Sequence, residues 1–269
     1  MAEITLKVRI DLAAMRDIAL RRLQRLMDVL FFTRAASNAM TSEQFTEHVE
    51  FFRLSPSQNT ALPFEGARTE AELWTRLHCL RDGIDVVGAF LEETKRACDM
   101  YRLIKHPNLT VGDLQAVERR CSAFHSLGLP KKIELLKREF GVQSDFDEHV
   151  ISLNEARNCL VHRLGLVSER ETKGSDAFSI RWMEICVRAE SPDGTEVAYV
   201  EQPSIFAEGW QVAVTLRPVE KSYRLGESIE LSYRELLGTV FSHQNFVNNL
   251  TASAEGYAKT LGFQFIPAC

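Results

Sequence analysis

Leu73, Leu77, Leu80, Ile84, Val87, Leu91, Cys98 and Tyr101 recur at alternating spacings of four and three, and only Thr94 interrupts the series. At about 100° per residue this places them on one stripe along a helix of roughly 30 residues. Such a helix is a rod about 45 Å long with one apolar side. It is stable in water only where other elements cover that side along its length, which constrains the chain to a helical bundle.

The flanking sequence supplies the partners. Met15, Ala19, Leu23, Leu26 and Leu30 predict a first helix from Leu12, and a shorter one is expected over Ser42 to Phe52. SPSQNTALPFEG reads as a loop, as does KHPNLTVGD after the long stripe. Leu114, Val117, Cys121 and Phe124 mark the next helix, stopped by Gly128 and Pro130. A brief helix over Lys131 to Phe140 follows, with Gly141 as its cap, and then one over Ser144 to Leu164 whose first turn is acidic through Asp145, Asp147 and Glu148.

After Gly174 the period falls to two. Phe178, Ile180 and Trp182 alternate with polar residues, SPDG (Ser191 to Gly194) turns the chain before Val197 and Tyr199, and Trp210, Val212, Val214 and Leu216 form a further alternating stretch. From Ser232 the helical period returns in Leu236, Val240, Val247, Leu250, Tyr257 and Leu261. The expected fold is therefore mainly α: a helical bundle over residues 1–176, a small antiparallel β-ribbon inserted over 177–228, and a C-terminal helix over 229–269 that rejoins the bundle.

Composition excludes several function classes. With 45% hydrophobic and 26% charged residues in 269, the chain resembles an ordinary globular protein. Its six cysteines include no C-x-x-C pair and its seven histidines no ligand-spaced cluster with them, so neither a disulfide framework nor a zinc site is expected. MAEITLKVRIDL lacks a continuous apolar segment and no uncharged run reaches about 18 residues, so a cytoplasmic protein with no membrane partner is expected. A net charge of −5 confines any contact with nucleic acid to local basic patches. One comprises Arg119, Arg120, Lys131, Lys132, Lys137 and Arg138; the other Arg157, Arg163, Arg170 and Lys173.

Within LNEARNCLVHRLG, the apolar positions Phe146, Val150, Leu153, Leu160 and Leu164 continue through Arg157, which takes a core slot. A charge there needs a partner, a hydrogen-bonding shell or a wet cleft. Glu155, Asn158 and His162 share an adjoining face, while Arg157 and His162 stand about 140° apart around the axis. One helix cannot aim both at one atom without a bend, a distortion or a second copy.

RNCLVH, Arg157 to His162, resembles the motif of the HEPN superfamily: an arginine, commonly followed by a polar residue, then a histidine. That resemblance implies an α-helical, HEPN-like bundle, frequently dimeric, with active members that cleave RNA without metal in toxin–antitoxin pairs or phage defence. Arg157, Asn158 and His162 take the catalytic positions, and no cofactor is required. RNA, a second copy of the chain and a neutralising protein are the implied partners, with Arg163 and Arg170 placed to bind RNA. The chemistry is consistent with the residue types: a guanidinium fork holds phosphate oxygens, and imidazole accepts or donates a proton. The alternative is a non-catalytic module of the same fold in which Arg157 is an ion-pair partner. RCSAFH, Arg120 to His125, satisfies the bare spacing and is read as a chance match; His243, on the last stripe, is read as a satisfied core histidine. Asp82, Asp85 and Glu92 on the long helix are read as solvated or structural.

Overall fold

The computed structural model describes residues 10–51, 62–105, 109–195, 197–199, 206 and 208–264. The expectations for residues 1–9, for most of the SPSQNTAL loop, for the His106 to Asn108 stretch and for Cys269 lie outside them. Helices α1 (Leu12–Ala39), α2 (Ser42–Phe51), α3 (Phe64–Ile104), α4 (Val111–His125), α5 (Leu129–Phe140), α6 (Asp147–Arg163) and the one-turn α7 (Glu169–Thr172) precede strands β1 (Ala177–Glu190), β2 (Val197–Tyr199) and β3 (Gln211–Arg224), and α8 (Tyr233–Thr260) follows. The fold is mainly helical, with a small antiparallel sheet before the final helix, as the periodicities require.

Helix α3 is the spine. Its 41 residues extend about 60 Å, and α1, α8, α4, α5 and α6 pack along it. Leu80, Ile84, Val87, Leu91, Cys98 and Tyr101 are buried, whereas Leu73 is exposed. Thr94 stays in the stripe because its hydroxyl returns 2.8 Å to the Phe90 carbonyl and so enters the core with its donor satisfied. Phe64, Glu65 and Gly66 are helical, since Pro63 fits a helix start and its carbonyl accepts from the Ala67 amide at 2.9 Å. Pro130 likewise sits in the first turn of α5, where its missing N–H costs nothing. Gly141, at φ 68°, caps α5 as expected.

Capping boxes start α4 with Thr110 and Asp113, α7 with Ser168 and Glu171, and α8 with Ser232 and Glu235. Helix α6 begins at Asp147 rather than Ser144. Residues 144–147 form a turn closed by the Asp147 amide on the Ser144 carbonyl, 3.2 Å, and the Ser144 hydroxyl accepts from the Phe146 amide.

The sheet order is β2-β1-β3, with Phe178 opposite Tyr223 and Trp182 opposite Val219. Phe178, Ile180, Trp182 and Tyr223 join the same core cluster as α3 and α8, so the base of the ribbon is packed into the bundle. The Ser152 hydroxyl of α6 accepts from the Arg181 amide at 3.0 Å, and that of Ser242 on α8 accepts from the Met183 amide at 2.7 Å. Two helices thus grip β1 directly. Beyond this base Val212, Val214 and Leu216 are exposed: their alternation follows strand geometry without marking a buried face.

A candidate nucleic-acid cleft

The buried face of α6 is made by Val150, Leu153, Ala156, Cys159 and Leu160, with Ser152. Arg157 follows Ala156 and is turned about 100° from it, to the flank of the core rather than its centre. Its side chain is 25% exposed and leans on α3, with Nη2 3.6 Å from Asp85 Oδ1. Nη1 donates to Asn158 Oδ1 at 3.1 Å, and the buried Nε has no hydrogen-bond partner among the described residues. The apolar alternation pointed to a core slot because it counts spacing and not the width of the covered face. Leu164, the last residue of that alternation, caps α6 in the left-handed region at φ 52° and is 90% exposed.

Arg157 and Asn158 line a cleft of about 690 Å³. Its floor is the α3 face formed by Asp85, Gly88, Ala89 and Glu92; one wall comes from α6 and α7, the other from the end of α4 and the start of α5. Arg163, Arg170 and Lys173 stand on the first wall, and His125 and Lys132 on the second. The two basic patches of the sequence, far apart along the chain, therefore meet here through Lys132 and the α6–α7 cations. A volume of this size suits a nucleotide-sized ligand.

These cations differ in how far they are committed. The Arg163 guanidinium is held by both oxygens of buried Glu171, which also accepts from Ser168, so Arg163 joins α6 to α7. Burial would raise the Glu171 pKa, but the Ser168 and Arg163 bonds hold it below the usual value. Lys173 pairs with Glu155. Arg170 is exposed, and its side chain has no partner among the described residues. On the opposite wall Glu92 serves two donors: Lys132 Nζ on one oxygen and His125 Nδ1, at 2.8 Å, on the other. Burial opposes ionisation of Glu92, yet these two neighbours hold its pKa below the ordinary carboxylate value.

His162 is exposed and does not line the cleft. It lies on the Asn158 face, about 6 Å further along the α6 axis. The histidine that does line it is His125, from the RCSAFH segment read as a chance match; the arginine of that segment, Arg120, turns instead to buried Asp99 at 3.3 Å. No signal in the sequence ties His125 to Arg157, because α3 alone brings them to one cleft. Asp85 and Glu92, read as solvated or structural, are its acidic floor.

Among the described residues no group of three or more His, Cys, Asp or Glu side chains is placed to hold a metal ion, and no helix is long and apolar enough to cross a membrane. Neither a protein-family model, a curated protein nor a solved structure matches the chain.

Proposed function

We propose that this chain is a metal-independent endoribonuclease of HEPN type acting on single-stranded RNA. The observation that carries the reading is Arg157: a guanidinium on a cleft wall, a quarter exposed, beside Asn158 and held by Asp85 only at 3.6 Å. Such a donor set fits a phosphate oxygen. In the proposed reaction the 2′-oxygen bonds to phosphorus as its proton passes to His162. Arg157 holds the phosphate charge, Asn158 orients the phosphate, and the P–O5′ bond breaks with its electrons going to the 5′-oxygen, which takes a proton from water. A 2′,3′-cyclic phosphate remains. Because His162 stands outside the cleft of its own chain, it is supplied by a second copy across a twofold axis. Exposed Val161, Leu164 and Leu166, at and after the end of α6, support that packing. Arg163 and Arg170 border the RNA path. A cytoplasmic role in defence or growth control, held in check by a neutralising protein, follows from the same resemblance.

The test is cleavage of single-stranded RNA in EDTA with analysis of the product ends. Wild type is expected to leave cyclic phosphates, and Arg157→Ala and His162→Ala, folded by circular dichroism, to lose at least about a hundredfold in rate. Equal cleavage by all three would remove the site; a requirement for magnesium would remove the mechanism. The second reading, a binding or dimerisation module, is favoured by the Arg157–Asp85 contact and by the exposure of His162, and RNA binding without cleavage would establish it.

A further inference from the structure

The cleft is elongated along α3, and its two ends carry separate sets of cations. Asp85 and Glu92 are seven residues apart, about 10 Å along the helix axis. Arg157 meets the first and His125 and Lys132 the second. Between them lies Gly88, where an added Cβ would meet nothing within 4 Å, so the floor between the ends is open. The oxygens of one phosphate cannot reach across such a floor. The five cations lining the cleft (Lys132, Arg157, Arg163, Arg170, Lys173) outnumber the four carboxylates (Asp85, Glu92, Glu155, Glu171) by one.

That excess is not evenly spread. Arg163 and Lys173 are each matched by one carboxylate. Arg157 faces Asp85 only at 3.6 Å, and Arg170 on the same wall is unmatched among the described residues. At the other end Glu92, a single negative charge, is shared by two donors. Each end therefore has N–H donors beyond what its one carboxylate can match. We propose that the cleft is a strand-binding groove that takes two phosphates of one RNA chain, the first at Arg157 and Arg170 and the second at His125 and Lys132. This rests on RNA being the ligand and names where the strand lies: along α3, from Asp85 to Glu92.

Each phosphate neutralised on a single strand contributes about −0.7 to the slope of log K against log salt. The probe is a fluorescent 2′-O-methyl oligouridylate of about four nucleotides, which cannot be cleaved, followed by anisotropy over a salt series at about pH 6. Wild type is expected to give a slope of about −1.4, and the Arg157→Gln/Arg170→Gln and His125→Gln/Lys132→Gln pairs each about −0.7 with roughly tenfold weaker binding. Lys132 is largely buried, so His125→Gln alone, at a side chain 76% exposed, is the second variant and is expected to weaken binding and flatten the slope by itself.

A wild-type slope of only about −0.7, an unaffected His125→Gln, or displacement of the probe by ADP as effectively as by unlabelled oligouridylate would overturn the two-phosphate groove. Its failure is distinguishable from that of the nuclease reading. A chain that grips the probe at both ends but cleaves no RNA keeps the groove and loses the nuclease. One that cleaves RNA with wild-type affinity after His125→Gln keeps the nuclease and loses the groove.

Discussion

His243 of α8 and Gly83 of α3 occupy what would otherwise be one space. The imidazole is fully buried, neither ring nitrogen has a hydrogen-bond partner among the described residues, and a Cβ at position 83 would stand 2.8 Å from its Nδ1. The sequence pattern placed His243 in the core correctly but as a satisfied group, and the structure corrects that: it packs as a ring with no polar partner among the described residues. Burial pushes its pKa from 6.5 down to about 4. The unfolded chain therefore takes up the proton first as pH falls, so the fold loses stability between about pH 6.5 and pH 4. Asp147 acts in the opposite sense, since burial raises its pKa to about 6 and the folded state gains its proton first. The contribution of His243 is isolated by comparing wild type with His243→Leu in urea. The stability of wild type relative to the variant is expected to fall by on the order of 3 kcal/mol across that window. A difference that stays constant with pH would show that the ring is hydrated or partnered in solution.

Between elements, the decisive contact is that of the sheet with α8. Gly238 allows it: an added Cβ would lie 2.4 Å from Trp182 Cδ1 and 3.0 Å from the Met183 carbonyl oxygen, and that carbonyl belongs to a strand already fixed by Ser242. Neither the indole nor the strand can retreat without opening the core shared by β1, α6 and α8. Gly238→Ala is expected to cost about 1–3 kcal/mol although alanine is the better helix former, and denaturant melts read this directly. An unchanged or raised midpoint would mean that the strand yields at this point. Arg163 and Glu171 are likewise an element-scale device. The carboxylate caps α7 and holds the α6 arginine, fixing the wall that presents Arg170 to the cleft.

The whole molecule leaves an apolar surface where α6 ends. Val161, Leu164, Leu166 and Leu225 are exposed, and the last two are brought together by backbone bonds between Val167 and both Gly226 and Glu227. His162 lies within this region, which agrees with a second copy completing the proposed site. Light scattering at micromolar concentration is expected to show a dimer, and Leu164→Glu/Leu166→Glu to shift it to monomer and abolish cleavage while the helical circular dichroism is retained. Mixing Arg157→Ala with His162→Ala subunits is expected to recover part of the activity. A fully active monomer would place the catalytic groups within one chain.

The bundle was legible because its evidence is local. Four-three alternations in α1, α3 and α8, the residues Ser232 and Gly141 at helix ends, and the change of period after Gly174 are properties of neighbouring residues, and helix and strand geometry converts them into elements without reference to the rest of the chain. Arg157 and Asn158 were singled out on the same grounds. What depends on how helices lie against one another was decided only by the tertiary structure: that Arg157 flanks the core, that His125 and not His162 shares its cleft, and that Asp85 and Glu92 form the floor. Periodicity states which face of a helix is apolar, but the width of the covered part and the identity of what stands opposite are set by packing between segments remote in sequence.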